Sequence, residues 1–273
     1  MVLLLNLLSN SINKTMARLH LFEFEDQSWF PGFLRNYGTD FLQFLANATR
    51  MWKPVVPVLS DLLKKTGQTR IIDLASGGGG GLLWLSQALK EEHPDLKVTL
   101  TDFYPNLNAF KHAQSLTDNF DFVETQVNAL NVPAELKGLR TQFLSLHHFK
   151  PEQARQILQN AVDTKSPIAI FEGQERSFPS VLAMLFSPIT LWLTTPFIRP
   201  FRWMRLLFSY LIPIVPLFVL WDGIVSALRT YSVKELQALV DGLEDKEQFD
   251  WEIKRVKSGP GVVIYLTGVP KMS

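Results

Sequence analysis

The chain has 273 residues, enough for one large domain or for a domain with an insertion. Its formal net charge is +1, so no general attraction to nucleic acid is implied. It contains no cysteine, which excludes disulfides, thiolate catalysis and cysteine-ligated zinc.

Residues 1–68 are predicted to be a mainly helical N-terminal segment. Its first eight residues are apolar but lack a basic start. This favours a helix resting on the domain or on a membrane over a signal peptide. Residues 39–65 indicate an amphipathic helix that breaks near Pro54 and Pro57.

Residues 21–31 mix acids with aromatic side chains. One interpretation is a capped helix start with a solvated acidic edge. The other is a lid over a pocket, carrying Glu23, Glu25 or Asp26 as a polar contact.

A glycine-rich turn follows the first predicted strand. Ile71-Ile72-Asp73-Leu74 leads into Ala75-Ser76 and then five consecutive glycines, and a helix is predicted from Leu82 to Leu89. Glycines let a ligand approach the backbone, and a helix start offers free N–H groups. The next strand ends in Asp102, about 20 residues on, where an acid reads a ribose in nucleoside-binding α/β units.

The alternation of strand and helix continues along the chain and is typical of a parallel sheet. A helix is predicted from Asn106 to Leu116. Strands are predicted at Phe120–Val127, Thr141–Leu146 and Pro167–Phe171, and a hairpin at Phe249–Val256 and Val262–Thr267. Polar residues that follow these strands lie at the edge where such sheets bind ligands.

The sequence does not match the dinucleotide-binding pattern G-x-G-x-x-G, because Leu82 occupies the position of its last glycine. The sequence Ile-Ile-Asp-Leu-Ala-Ser-Gly-Gly-Gly instead resembles motif I of the class I S-adenosylmethionine (SAM)-dependent methyltransferases. The resemblance covers about residues 68–175 and 230–268, and the terminal hairpin supports it.

The resemblance implies SAM as the cofactor and a Rossmann-like α/β fold, with a seven-stranded, mostly parallel sheet whose last strand is antiparallel. It also implies that Asp102 and the adjacent Phe103 lie at the ribose. Asn128-Ala129 stands where the family often has Asp-Ala near the adenine, although a plain turn is the alternative there. Its implied contacts in motif I are Asp73, Ala75, Ser76, Gly77, Gly78 and Gly79.

Two adjacent histidines, His147 and His148, follow the predicted fourth strand. Either is a candidate general base, and packing or a contact with Glu172 is the structural alternative. Adjacent side chains are expected to point in different directions, so both are not expected to act together. No metal site is predicted, because no third ligand stands at a useful spacing.

Residues 177–228 form a predicted hydrophobic insertion between the 69–176 core and the 229–273 helix and hairpin. Two uncharged runs, each interrupted by prolines, flank a segment with Arg199, Arg202, Trp203 and Arg205. Three interpretations remain: a helical hairpin lying in one leaflet or at the membrane interface, two membrane spans, or a cap over an apolar pocket.

After the insertion, Asp222 and Arg229 are predicted to pair and close its base. Tyr231 is a weaker candidate for the acceptor pocket. Ser232 and Glu235 predict a capped helix start.

The sequence therefore predicts a SAM-dependent methyltransferase that acts on a small, apolar or lipid-like acceptor. It is expected to be cytoplasmic and to contact a membrane through residues 181–221, with no nucleic acid partner. The alternatives are an inactive SAM-fold scaffold at a membrane and a nucleotide-dependent oxidoreductase. The acceptor, the methylated atom and the oligomeric state stay open.

Overall fold

The computed structural model describes residues 16–259 and 261–271. Within them, seven strands form one sheet in the order β3-β2-β1-β4-β5-β7-β6. Strands β1 to β5 pair in parallel, and β7 lies antiparallel between β5 and β6. This confirms the predicted mixed sheet. The strands are β1 (Arg70–Asp73), β2 (Lys97–Leu100), β3 (Phe120–Phe122), β4 (Leu139–Phe143), β5 (Ile168–Glu172), β6 (Phe249–Ser258) and β7 (Gly261–Pro270).

Helices flank the sheet and form the insertion. The helices in the described residues are α1 (Gly32–Ala48), α2 (Val56–Thr66), α3 (Leu83–Lys90), α4 (Leu107–Ser115), α5 (Pro151–Asp163), α6 (Phe178–Met184), α7 (Ser187–Thr194), α8 (Trp203–Leu206), α9 (Ile214–Arg229) and α10 (Val233–Asp241). The predicted cap of α10 is confirmed, since the Ser232 side chain accepts the Glu235 N–H and the Glu235 carboxylate accepts the Ser232 N–H. The interpretation of residues 1–8 as a surface helix lies outside the described residues.

Side-chain alternation along the strands divides the core into two layers. Ile72 packs with residues of α5 and α10 on one face of the sheet. Its neighbour Ile71 packs with residues of α2, α3 and α4 on the other face. Burying each such aliphatic side chain contributes about 1.5–3 kcal/mol.

A third apolar cluster joins α1 to the insertion. Phe41 of α1 packs with Leu191 of α7 and with Val215 and Phe218 of α9. The insertion is therefore anchored to the N-terminal segment by apolar burial.

Among the described residues, no single helix is long and apolar enough to cross a bilayer. Two bent pairs, Phe178–Met184 with Ser187–Phe197 and Trp203–Leu211 with Ile214–Arg229, meet that criterion jointly.

Several predicted boundaries were wrong for local reasons. Strand β3 stops at Phe122, and by Val127 the chain has turned so that its N–H donates to the Asp102 carbonyl. Strand β4 stops at Phe143, because Leu144 adopts a left-handed φ of 51°. Both histidines consequently lie in a short 3-10 turn, Leu146–His148, beyond the strand.

The predicted pair between Asp222 and Arg229 was also wrong. The Asp222 carboxylate accepts the backbone N–H groups of Phe24 and Glu25, at 2.8 and 3.1 Å. The Arg229 guanidinium instead contacts Asp26 at 2.6 Å. Both side chains attach the N-terminal segment to α9, which sequence spacing could not show.

Candidate functional site

The glycine turn joins β1 to α3 and requires left-handed backbone. Ala75, Gly77 and Gly79 have φ values of 54°, 57° and 70°. A Cβ on Gly79 would overlap the Leu100 side chain. Glycine is therefore required at position 79 for both conformation and space, whereas Ala75 carries modest strain.

Two other glycines of the turn, Gly78 and Gly80, pack against α1, and a third, Gly77, faces open space. A Cβ on Gly78 or Gly80 would overlap the Gln43 side chain of α1. A Cβ on Gly77 would meet nothing closer than Thr39, at 3.9 Å. Gly77 is thus the exposed point of the turn, while Gly78 and Gly80 let α1 lie directly on it.

Asp73 is buried beneath the turn, with 3% of its surface exposed. Its carboxyl accepts a hydrogen bond from Thr141 at 2.8 Å, and Ser76 and Thr101 donate to its backbone carbonyl. Burial raises the pKa of Asp73 to about 7. The side chains of Asp73 and Ser76 therefore order the turn from below.

Asp102 lies beyond the end of β2 and connects the turn to the next loop. Its two carboxylate oxygens accept the N–H groups of Gly77 and Tyr104, each at 2.8 Å. Burial raises the pKa of Asp102. Phe103 and Tyr104 are exposed beside it, with 40% and 79% of their surfaces accessible.

Asn128 forms a local turn, since its side-chain oxygen accepts the Leu130 N–H at 3.0 Å. The side chain is exposed, and its oxygen keeps a second lone pair beyond the one that accepts the Leu130 N–H. Ala129 is buried in the core. This geometry is the turn alternative that the sequence left open.

His147 is buried beside Glu172 at the end of β5. One carboxylate oxygen accepts the His147 backbone N–H at 3.1 Å, and the other lies 2.8 Å from Nδ1. The expected contact with Glu172 is present. A carboxylate at Nδ1 holds the proton there and leaves Nε2 free to accept one.

His148 has a different environment. Its Nδ1 lies 2.9 Å from Asp26 and 3.1 Å from Glu23. Burial alone would lower the pKa of His148, but hydrogen bonds and charges from Asp26 and Glu23 raise it well above its usual value. His148 is therefore held as a cation.

The acidic residues of segment 21–31 form buried contacts with α9. Neither the interpretation as a solvated acidic edge nor their spacing in the sequence indicated these contacts. Glu23 is fully buried, and its carboxylate receives Ser226 at 3.0 Å and Arg229 at 3.3 Å. A partial signal is present in the sequence, because Asp222, Ser226 and Arg229 follow directly after a long apolar run.

The two imidazole rings lie beside each other, with centroids 4.3 Å apart, although the adjacent side chains were expected to point in different directions. Glu23, His147 and His148 bring donor atoms within 4.8 Å of one another. A third possible ligand is therefore present despite its unfavourable sequence spacing, because the fold supplies Glu23 from 124 residues upstream of His147. The same groups are already engaged in ion pairs.

Both histidines line a cavity of about 240 Å³. Apolar side chains from α1, α6 and α9, such as Phe41, Met184 and Phe218, form most of its wall. The insertion thus closes over the cavity, as the cap interpretation requires. Tyr231 is not part of it, because its hydroxyl donates to the Phe149 carbonyl in the core. A wider cavity of about 590 Å³ lies on the other side of α1 and contains neither histidine.

No family model and no curated protein match the chain. Its fold is similar to solved methyltransferase structures. The plantazolicin methyltransferase BpumL in complex with SAH is 15% identical with a TM-score of 0.52, over 88% of each chain. Human N-acetylserotonin methyltransferase in complex with SAM is 13% identical with a TM-score of 0.50, over 98% of this chain and 66% of that one.

An O-methyltransferase family protein from Burkholderia thailandensis is 17% identical with a TM-score of 0.47, over 82% of this chain. The chain spans only 57% of that protein's length. At these identities the similarity establishes the fold: a seven-stranded α/β methyltransferase-like fold.

Proposed function

We propose that the chain is a SAM-dependent methyltransferase that methylates a hydroxyl of a small apolar or lipid-like acceptor. The observation that carries this proposal is the position of Asp102 against the exposed Gly77 turn, in a fold whose solved neighbours were crystallised with SAM or SAH. An inactive scaffold would not need that arrangement.

The residues at the turn fit the cofactor. Each Asp102 oxygen accepts one backbone N–H and retains a further lone pair, which suits the hydroxyls of a ribose. Gly77 leaves its backbone accessible, and Phe103 offers an exposed apolar ring. When bound, SAM supplies an electrophilic methyl group on an activated leaving group.

His147 is the residue of this chain suited to remove the acceptor proton. Glu172 contacts the Nδ1 atom of its ring and accepts its backbone N–H, so that Nε2 is the accepting atom. His148 is held as a cation and carries no free site for that proton. The apolar wall of the cavity excludes water and favours an acceptor that is mostly apolar.

We also propose that the acceptor reaches the cavity from the cytoplasmic face of a membrane. The outer side of the insertion exposes large apolar residues, including Leu193 (70%), Trp203 (76%) and Leu211 (79%). Patches of this kind mark interaction surfaces. Arg199 and Arg202 are exposed beside them and suit anionic headgroups.

Calorimetric titration with SAM and with NAD tests the cofactor. We expect SAM to bind and NAD not to bind, and Asp102→Ala to weaken SAM by about 1–3 kcal/mol because bound hydroxyls lose their partner. Glu124→Ala, an exposed acid after β3, is the matched control. Unchanged SAM affinity in a folded Asp102→Ala protein would show that the site is misplaced.

Flotation with liposomes tests the membrane proposal. We expect the intact protein to float with anionic vesicles, and the Arg199→Gln/Arg202→Gln double variant to float less with them but equally with neutral vesicles. A protein that never floats would limit the insertion to a cap.

A further inference from the structure

Two polar side chains that line the acceptor cavity have no hydrogen-bond partner among the described residues. Glu25 is partly buried and lines the same cavity as His147 and His148, and no described residue donates a hydrogen bond to its carboxyl. Ser187 of α7 also lines this cavity, and its hydroxyl is buried without a hydrogen-bond partner. The buried Ser187 hydroxyl calls for a partner from a ligand, and the Glu25 carboxyl on the same cavity wall is free to bind that ligand.

The position of Glu25 is fixed by its neighbours. The Asp222 carboxylate accepts the N–H groups of Phe24 and Glu25. Glu23 is held to α9 through Ser226 and Arg229. The backbone on both sides of Glu25 is therefore anchored to one helix, while its side chain remains on the cavity wall.

The charges around Glu25 select the kind of partner. Burial raises the pKa of Glu25 to about 7. The charge of His148 lowers this pKa, and the charges of Asp222, Glu23 and Asp26 raise it further. At neutral pH the carboxyl is thus readily ionised by a nearby cation and has no cation dedicated to it. A compact positive group is the partner that would gain most from it.

We propose that Glu25 recognises an ammonium group on the acceptor, so that the acceptor is an apolar amine that also carries the hydroxyl to be methylated. This inference rests on the proposed methyltransferase function and names its substrate class. An ammonium paired with Glu25 has no free lone pair, so it is protected from methylation. The hydroxyl is then the nucleophile, and His147 accepts its proton.

Matched probes test this inference by calorimetry with the protein saturated with SAH. Tyramine and 4-ethylphenol share a phenol and differ in the amine. Decylamine and decanol provide a second pair with a longer apolar body. We expect the amine of at least one pair to bind about 10–100-fold more tightly, the range of a charge-assisted hydrogen bond.

Glu25→Gln should remove this preference and leave the affinity for the neutral probe unchanged within about twofold. Glu175→Gln, a partly exposed acid outside the cavity, is the control. In the wild type, the preference for the amine should increase from pH 6 to pH 8 as Glu25 ionises. His148, Asp222, Glu23 and Asp26 also face it, so the missing pH dependence in Glu25→Gln is the decisive comparison.

Equal binding within both pairs, absence of binding by all four probes, or a preference that survives in Glu25→Gln would each overturn the inference. These results differ from failure of the proposed function. If SAH itself does not bind, the cofactor assignment fails. If phenols bind and are methylated without amine preference, the methyltransferase stands and the role of Glu25 does not.

Discussion

Replacement of Glu172 by Gln tests the proposed base most directly, because the two side chains have nearly the same shape. In the native site, both carboxylate oxygens contact His147, one through the backbone N–H and one through Nδ1. Glutamine offers one oxygen and one NH₂ group. The backbone N–H of His147 can only donate, so it keeps the glutamine oxygen as its acceptor. The glutamine NH₂ group then faces Nδ1 of the imidazole.

The imidazole must consequently change tautomer. Nδ1 becomes an acceptor, the proton moves to Nε2, and Nε2 loses its capacity to take a proton from the acceptor. General base catalysis contributes about 10²–10⁴-fold, and loss of the correct histidine tautomer costs about 10⁴-fold in serine proteases. We expect kcat to fall by about 10²–10⁴-fold while the affinity for SAM stays the same.

Two measurements follow this change. Methyl transfer from radiolabelled SAM reports the rate, and ¹⁵N NMR of the imidazole reports which nitrogen of His147 carries the proton, independently of any acceptor. Glu175→Gln, in the loop after β5, is the matched control. A full rate in Glu172→Gln, or a proton that remains on Nδ1, would refute the assignment of His147 as the base.

Three further predictions concern stability. Burial raises the pKa of Asp73 from its usual 3.8 to about 7, so between these pH values the folded state binds the proton and the unfolded state does not. The free energy of unfolding should therefore fall by up to about 1.4 kcal/mol per pH unit as the pH rises through that window. Asp73→Asn should abolish this slope in denaturant melts measured at several pH values. Gly79→Ala should cost about 2–4 kcal/mol by chemical denaturation, because the new methyl group overlaps Leu100 and the left-handed φ of 70° is strained; a loss below 1 kcal/mol would contradict the turn geometry. Arg205 is buried in an ion pair, with 2% of its side chain exposed, so Arg205→Met should destabilise the protein by about 3–5 kcal/mol. Arg202 is exposed, so Arg202→Gln should destabilise the protein by less than about 1 kcal/mol. Equal effects of the two substitutions on the melting temperature would contradict this difference.

Arg205 also corrects the sequence interpretation of the basic segment. Its guanidinium donates to the carbonyls of Ile198 and Pro200, at 2.6 and 2.8 Å, and pairs with Asp40. Three arginines in seven residues looked alike in the sequence, yet only two are exposed. Exposure depends on where α1 lies relative to the insertion, which no local pattern specifies.

The sequence by itself determined the sheet and the edge at which Gly77 and Asp102 meet. Strands and helices of this core are encoded by local hydrophobic period, and parallel pairing brings the carboxyl ends of β1 and β2 together, so Gly77 and Asp102 could be placed from their spacing. The glycine run likewise predicted a turn there, whereas the left-handed positions, Ala75, Gly77 and Gly79, are known only from the structure.

The tertiary structure alone decided which residues meet at the cavity that contains His147 and His148. Glu23, Glu25 and Asp26 come from the N-terminal segment, His147 and His148 from the turn after β4, and Arg229 from the end of α9. These groups are separated by about 120 and 80 residues along the chain, and their contacts depend on packing between elements and on mutual charge. Pairwise contacts of that kind have no period, so the sequence could name the residues but not which carboxylate would hold which cation.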